Sequence, residues 1–222
     1  MLRPTKKIHR KEIKEDALVT QYVRIRRLYD QHSRTIHIGL IVLLAAAAIG
    51  VLMLRSKRAA EVKSQEMLGL AEQAYYMNDY PRVIRDMEPI LKNYPGTRAA
   101  GTAAFYTANA YFSQNNLNEA EKFFRMVVDH YRQNPLFSAS SLAGLAAVEE
   151  SRNQTTKAAK YYEKAGKQYS ELYAAPFYLK EAARCYLAAG DRASALKLLD
   201  SILKEHPESA VSEEVQWLKE SI

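Results

Sequence analysis

The sequence predicts an all-α protein: a single N-terminal transmembrane helix, then a right-handed α-solenoid of about four helix pairs and a C-terminal capping helix. Two observations predict this class. Residues 36–54, IHIGLIVLLAAAAIGVLML, contain no Asp, Glu, Lys or Arg. The later sequence repeats one helix-pair pattern every 37 or 38 residues. We therefore divide the chain into an arm (1–35), a membrane span (36–54) and a repeat domain (55–222).

The arm is the basic part of the chain. Residues 1–35 hold 10 Lys and Arg against 4 Asp and Glu, whereas the remaining 187 residues hold 22 and 21. The pattern after Pro4 predicts a helix, which either lies on an anionic leaflet or is a solvated arm that only sets topology. Because the repeat domain is nearly neutral, we expect no nucleic-acid partner.

Residues 36–54 have the length of a membrane span, since 19 helical residues extend roughly 28 Å and a bilayer core is about 30 Å thick. A cleaved signal peptide fits less well, because 35 residues precede the run and RSKR follows it directly. Four basic residues flank the span on each side, so only the total charge of the arm orients it. That charge predicts a cytoplasmic amino terminus.

The repeat domain consists of four similar segments, and each contains two helical patterns separated by a polar turn. They occupy about 64–100, 101–138, 139–175 and 176–208. The eighth place of each first helix is small: Ala71, Ala108, Ala146 and Ala183. Places 20, 24 and 27 share one face of each second helix: Val83, Met87, Ile90; Ala120, Phe124, Val127; Ala158, Tyr162, Ala165; and Ala195, Leu199, Ile202.

Three further expectations concern single positions. Pro89 lies inside the second helix of unit one and should kink or shorten it. The pattern of residues 209–222 predicts a capping helix whose apolar face includes Val211 and Val215. We expect Trp217 to pack on the seam between this helix and the last repeat. Cys185, the single cysteine, is expected to be a buried structural thiol.

The small-large-aliphatic pattern, clearest in NNLNEAEKFF and AGDRASALKLLDSILKEHP, resembles tetratricopeptide (TPR) repeats over residues 64–208. The resemblance implies a protein-binding groove lined by the first helices. Transferring the family's groove places to this sequence gives Leu68, Glu72, Tyr75, Phe105, Asn109, Phe112, Glu150, Phe177, Lys180 and Arg184. For Phe105 and Phe112, a core position between units is an equal alternative.

The sequence contains little that supports catalysis. The five histidines are scattered without carboxylates at ligand spacing, and no Gly-rich phosphate loop or nucleophile motif is present. Glu149 and Glu150 are expected on a solvated helix face. Only Asn109, Lys180 and Arg184 partly meet the charged clamp with which some TPR domains hold a peptide's terminal carboxylate. We therefore expect no enzyme, metal, cofactor or carboxylate-terminal capture.

The layout of arm, span and short repeat domain is similar to the YfgM family, ancillary subunits of the bacterial Sec translocon. That resemblance implies an inner-membrane protein with a periplasmic TPR domain whose partners are translocon components, periplasmic chaperones or exported chains. Two alternatives remain open. The chain is a scaffold or adaptor of another cell-envelope complex, such as the division or secretion apparatus, or a docking receptor that faces the cytoplasm.

Overall fold

The computed structural model describes residues 17–222, with side chains from Thr20 onward. These residues form nine helices and no strand. The helices are α1 (Ala17–Tyr76), α2 (Tyr80–Asn93), α3 (Arg98–Ser113), α4 (Leu117–His130), α5 (Pro135–Ser151), α6 (Thr155–Gln168), α7 (Ala175–Ala188), α8 (Arg192–Glu205) and α9 (Ser212–Glu220). The helix predicted between Pro4 and residue 16 lies outside the described residues. The all-α prediction is confirmed for the part that is described.

The chain divides after Ser56 into two compact parts. In the first part, α1 departs from helical geometry at His32, whose φ is −123° and ψ is 17°. Beyond His32 the apolar side chains of residues 36–54, such as Leu43 and Leu52, are exposed. Within the described chain, α1 holds one stretch long and apolar enough to cross a membrane, so this segment is a candidate membrane span.

The second compact part, Lys57–Ile222, contains the helix pairs. The chain passes from first to second helix through one left-handed residue in every pair: Asn78, Asn115, Asn153 and Gly190, with φ of 57°, 59°, 60° and 82°. A side-chain cap follows in three of the four turns, where Asp79, Asn116 and Asp191 accept a hydrogen bond from a backbone N–H of the second helix. Asn, Asp and Gly in these turns therefore reverse the chain and begin the next helix.

The repeated small and aliphatic residues form the core of the second compact part. Ala108, Ala146 and Ala183 are fully buried, and Ala71 is nearly so. The residues at places 20 and 27 of all four units are also buried, and Phe124 and Leu199 fill the space between them. Small residues let the paired helices approach closely, while the larger ones remove apolar surface from water at about 25 cal/mol per Å². The predicted repeat pattern is confirmed.

The predicted shortening of α2 at Pro89 and the predicted packing of Trp217 on the seam are wrong. Pro89 does not shorten α2, which continues to Asn93 and has the same 14 residues as α4, α6 and α8. Met87 and Ile90 are buried on either side of Pro89, and their packing holds the helix in place. Trp217 does not pack on the seam.

The seam of the capping helix is made by other side chains. Val211 and Val215 are buried against α7 and α8, and Leu218 and Ile222 pack beside them. Trp217 is 69% exposed because its place on α9 falls outside this apolar stripe. The capping role of the helix is therefore carried by its aliphatic residues.

Candidate partner-binding surface

The first helices of neighbouring units share a surface that carries a run of aromatic rings. We call Tyr75, Phe105, Tyr106 and Phe137 the aromatic cluster. The rings of Tyr75 and Tyr106 have centroids 4.4 Å apart, and those of Phe105 and Phe137 stack at 4.9 Å. Tyr106 also meets Phe137 edge to face at 6.3 Å. The cluster therefore joins α1, α3 and α5 across three units.

The cluster is half-buried rather than internal, since each of its four rings keeps part of its surface accessible. Tyr76 extends it outward: its ring lies 6.1 Å from that of Tyr75 and is 72% exposed. Burial raises the pKa of Tyr106, and the Tyr76 hydroxyl and the Glu72 carboxylate raise it further. The phenol of Tyr106 thus stays neutral and presents an amphipathic ring to a partner.

A set of charged residues lies on α5, α7 and α9. Glu150, Lys180, Glu181, Arg184 and Glu214 form the charged network. Arg184 donates from Nη2 to Glu150 at 2.6 Å and from Nε to Glu181 at 2.7 Å. Lys180 Nζ donates to Glu214 of α9 at 2.8 Å. The network therefore links α5, α7 and α9.

The network satisfies its cations internally. Hydrogen bonds from Arg184 to Glu181 and Glu150 raise the pKa of the guanidinium further. Tyr162 of α6 donates to the second oxygen of Glu150 at 3.0 Å, and burial raises the pKa of Tyr162. Both cations of the network, Lys180 and Arg184, therefore already have a carboxylate partner within the protein.

The structure places the ten predicted groove residues in different environments. Leu68 is 2% exposed and belongs to the core of units one and two, so it is not accessible to a partner. Phe112 and Phe177 are half-buried against the core. Asn109 uses its amide to donate to the carbonyl of Phe105 at 2.8 Å. Glu72 and Tyr75 lie beside Tyr106, and Glu150, Lys180 and Arg184 come together in the charged network.

Several surface residues were not anticipated from the sequence. Tyr106 and Phe137 complete the aromatic cluster, and Glu181 and Glu214 complete the charged network. Aromatic residues spaced 31 residues apart on successive first helices, Tyr75, Tyr106 and Phe137, were the available signal. Glu149 is a correction: it is 7% exposed rather than solvated, and its nearest cation is Arg152 at 3.7 Å.

Comparison with known protein families gives two matches. Residues 26–175 match the model of a tetratricopeptide repeat-like domain, which is more than half of the chain. The chain belongs to this family. A second tetratricopeptide repeat model matches residues 151–216, so the two ranges together include all four helix pairs of the TPR domain. No curated protein matches the sequence.

The family assignment defines the general role of the TPR domain. Stacked helix pairs present an extended surface to other proteins, and the domain is a protein-protein interaction module. Such all-helical repeat folds are typically interaction scaffolds rather than enzymes. The matched range 26–175 also includes the charge-free stretch of α1, so the family model spans both the candidate membrane segment and the first repeats.

Proposed function

We propose that this protein is a membrane-anchored TPR module that binds polypeptides outside the cytoplasm and assists exported proteins or their chaperones at the Sec translocon. One observation carries the proposal. The same chain joins a charge-free helical stretch of 19 residues to a domain whose first helices expose a run of aromatic rings. The resemblance to the YfgM family in layout supports the choice of the translocon.

The chemistry of the surface supports polypeptide as the ligand. Aromatic rings whose faces are partly accessible bind apolar side chains of polypeptides that differ in sequence. These rings lose little conformational entropy on binding. The cations of the charged network are paired, so the network presents polar groups without a strong net field. A surface of this kind suits extended or partly unfolded chains.

A topology experiment tests the location. A reporter that is active only outside the cytoplasm, fused after Ile222, should be active, and a fusion before Met1 should be inactive. The matched control deletes residues 36–54, which should leave the carboxyl-terminal reporter inactive. Activity of a cytoplasm-only reporter after Ile222 would contradict the proposal and favour the cytoplasm-facing docking receptor.

A crosslinking experiment tests the partner. A photoreactive residue replaces Tyr76, beside the aromatic cluster, in intact membranes. Translocon components, periplasmic chaperones or newly exported chains should be captured from this position. Lys164, exposed on α6, provides the control position and should capture far less. Capture of division or secretion-apparatus proteins instead would favour the scaffold alternative and remove the translocon role.

A further inference from the structure

A cavity of about 390 Å³ lies between units two and three, bounded by the start of α3, the end of α4 and the start of α5. Two of its walls are the rings of Tyr131 and Phe137. Gly101 completes this wall, because a Cβ there would lie 2.9 Å from the Cβ of Tyr131. The ring of Tyr131 therefore packs against bare backbone, and the cavity is apolar on this side.

The rim of the cavity carries an exposed cation, Arg98. Within residues 20–222, no carboxylate oxygen lies within 4.0 Å of the Arg98 guanidinium. In this respect it differs from Lys180 and Arg184, which both hold carboxylates. A planar guanidinium offers a bidentate site to a carboxylate, so Arg98 has an open position for an acidic group.

The preceding junction shows what is missing here. Glu61 accepts a hydrogen bond from the backbone N–H of Arg98 with each of its carboxylate oxygens, at 3.2 Å, and so covers the start of α3. In the next unit, Arg98 stands 37 residues after Glu61, and α5 begins with Pro135 where α3 begins with Arg98. Proline has no N–H, and the residue at the place of Glu61 is a cation. The first junction is closed by the protein's own carboxylate, whereas the second presents a cation beside an open cavity.

We propose that this cavity binds an acidic side chain of the captured polypeptide, with its carboxylate on Arg98 and an adjacent apolar side chain against Phe137 and Tyr131. The inference rests on the proposed polypeptide-binding function and specifies its ligand. Phe137 belongs to both the cavity and the aromatic cluster, where it stacks on Phe105 at 4.9 Å. A segment lying on the cluster therefore reaches Arg98, and an acidic residue next to an aromatic one satisfies both walls.

Peptide binding to the full chain in nanodiscs tests the inference. The probe is a fluorescein-labelled peptide, GSGFEFGSG, with both ends blocked, and its partner carries Gln in place of Glu. Fluorescence anisotropy should show about tenfold tighter binding of the Glu peptide, because charge-assisted hydrogen bonds are about twice as strong as neutral ones. In Arg98→Gln the two peptides should bind equally. Arg192→Gln, which changes an exposed arginine at the start of α8, should keep the preference.

Equal binding of the Glu and Gln peptides to the unchanged protein would overturn the inference, as would a preference that survives in Arg98→Gln. A Gln peptide with a free carboxyl terminus separates the two sources of carboxylate. If it binds as tightly as the blocked Glu peptide, the cavity holds a chain end and the inference is wrong.

A second variant tests the cavity without changing a charge. Thr102→Trp places an indole in the cavity and should weaken the Glu peptide at least fivefold while the circular dichroism melt stays cooperative; unchanged affinity would contradict the site. Photocrosslinking from Tyr76 separates this inference from the proposed function. Capture of exported chains without any Glu preference rejects only the acidic site, whereas loss of both rejects the polypeptide-binding function as well.

Discussion

The guanidinium of Arg152, just after α5, donates to the carboxylate of Glu121 on α4, and so ties unit two to unit three. Arg125 donates to the same carboxylate from within α4 at 2.7 Å. The hydrogen bond from Arg152 lowers the pKa of Glu121 the most. Burial raises this pKa, but the hydrogen bond from Arg125 lowers it again, so it stays below its usual value. The pair is about three-quarters buried, which distinguishes it from the exposed ion pairs on the same helix.

This pair predicts a pH-dependent contribution to stability. A carboxylate whose folded pKa is lowered stabilises the protein above its unfolded pKa, and the contribution is lost as pH falls through the folded pKa. We expect Arg152→Gln to lower the free energy of unfolding by about 1 kcal/mol at pH 7, with the difference from wild type shrinking in acid. Urea titrations from pH 7 to pH 3 measure it. Lys122→Gln, which breaks the exposed pair with Glu119, should cost less than about 0.5 kcal/mol at any pH.

The second prediction concerns the glycine at the centre of α5. A Cβ at Gly144 would lie 2.5 Å from Cε1 and 2.7 Å from Cε2 of Phe124, whose ring is fully enclosed. Gly144→Ala should therefore destabilise the protein by about 1–3 kcal/mol despite the better helix propensity of alanine. Thermal denaturation followed by circular dichroism measures the change.

Gly69 supplies the matched control. It also lies inside a helix, but a Cβ there meets nothing within 4 Å. Gly69→Ala should raise the free energy of unfolding by up to about 1 kcal/mol. If both alanine variants change stability in the same direction, the close contact between Phe124 and α5 does not exist as described.

Two buried serines of α5 predict a gain in stability on truncation. The hydroxyls of Ser138 and Ser141 are enclosed and find no hydrogen-bond partner within the described chain. Ser141→Ala removes an unpaired polar atom and should leave stability unchanged or raise it by about 1 kcal/mol. Ser140→Ala should instead be destabilising, because it removes the hydrogen bond of 3.2 Å to the hydroxyl of Tyr178. The difference between the two variants in urea denaturation checks the assignment.

The fourth prediction uses the single thiol. Cys185 is 1% exposed, and burial raises its pKa to about 12. We expect the folded protein to react with a thiol reagent at pH 8 at least a hundredfold more slowly than the protein unfolded in guanidinium chloride. Because the folded pKa is raised, the neutral thiol stabilises the protein below the unfolded pKa of about 8.5, and this is lost as pH rises toward 12. Rapid labelling of a cooperatively folded sample would contradict the burial.

Much of the fold could be predicted because helix pairing depends on residue size at fixed spacing. Ala108, Ala146 and Ala183 permit close packing whatever surrounds them, so their positions indicate the pairs directly. Orientation about a helix axis is harder, because one residue turns a side chain by about 100°. Leu68 is buried although its place belongs to the groove in the family pattern, because its side chain packs in the core of units one and two.

The errors at Glu149 and Trp217 have different causes. Glu149 occupies the eleventh place, where Ala74 and Tyr186 are buried in other units, so the repeat alignment carried a signal for its burial. No such alignment was possible for Trp217, because α9 has no counterpart in the four aligned segments. The charged network could not be predicted from the sequence either, because Glu150 and Arg184 are 34 residues apart and meet only through the stacking of units.

The repeated left-handed turns within the four pairs bear on how the repeat domain would carry a mechanical load. Each hairpin is fixed by backbone geometry at Asn78, Asn115, Asn153 or Gly190, and its angle has little freedom. The seams between units contain buried apolar residues as well as ring contacts, and Tyr75 meets Tyr106 across the first seam at 4.4 Å. A chain held by these rings would therefore load a junction between units rather than a single hairpin, and the surface that binds a partner would also carry the pull exerted on it.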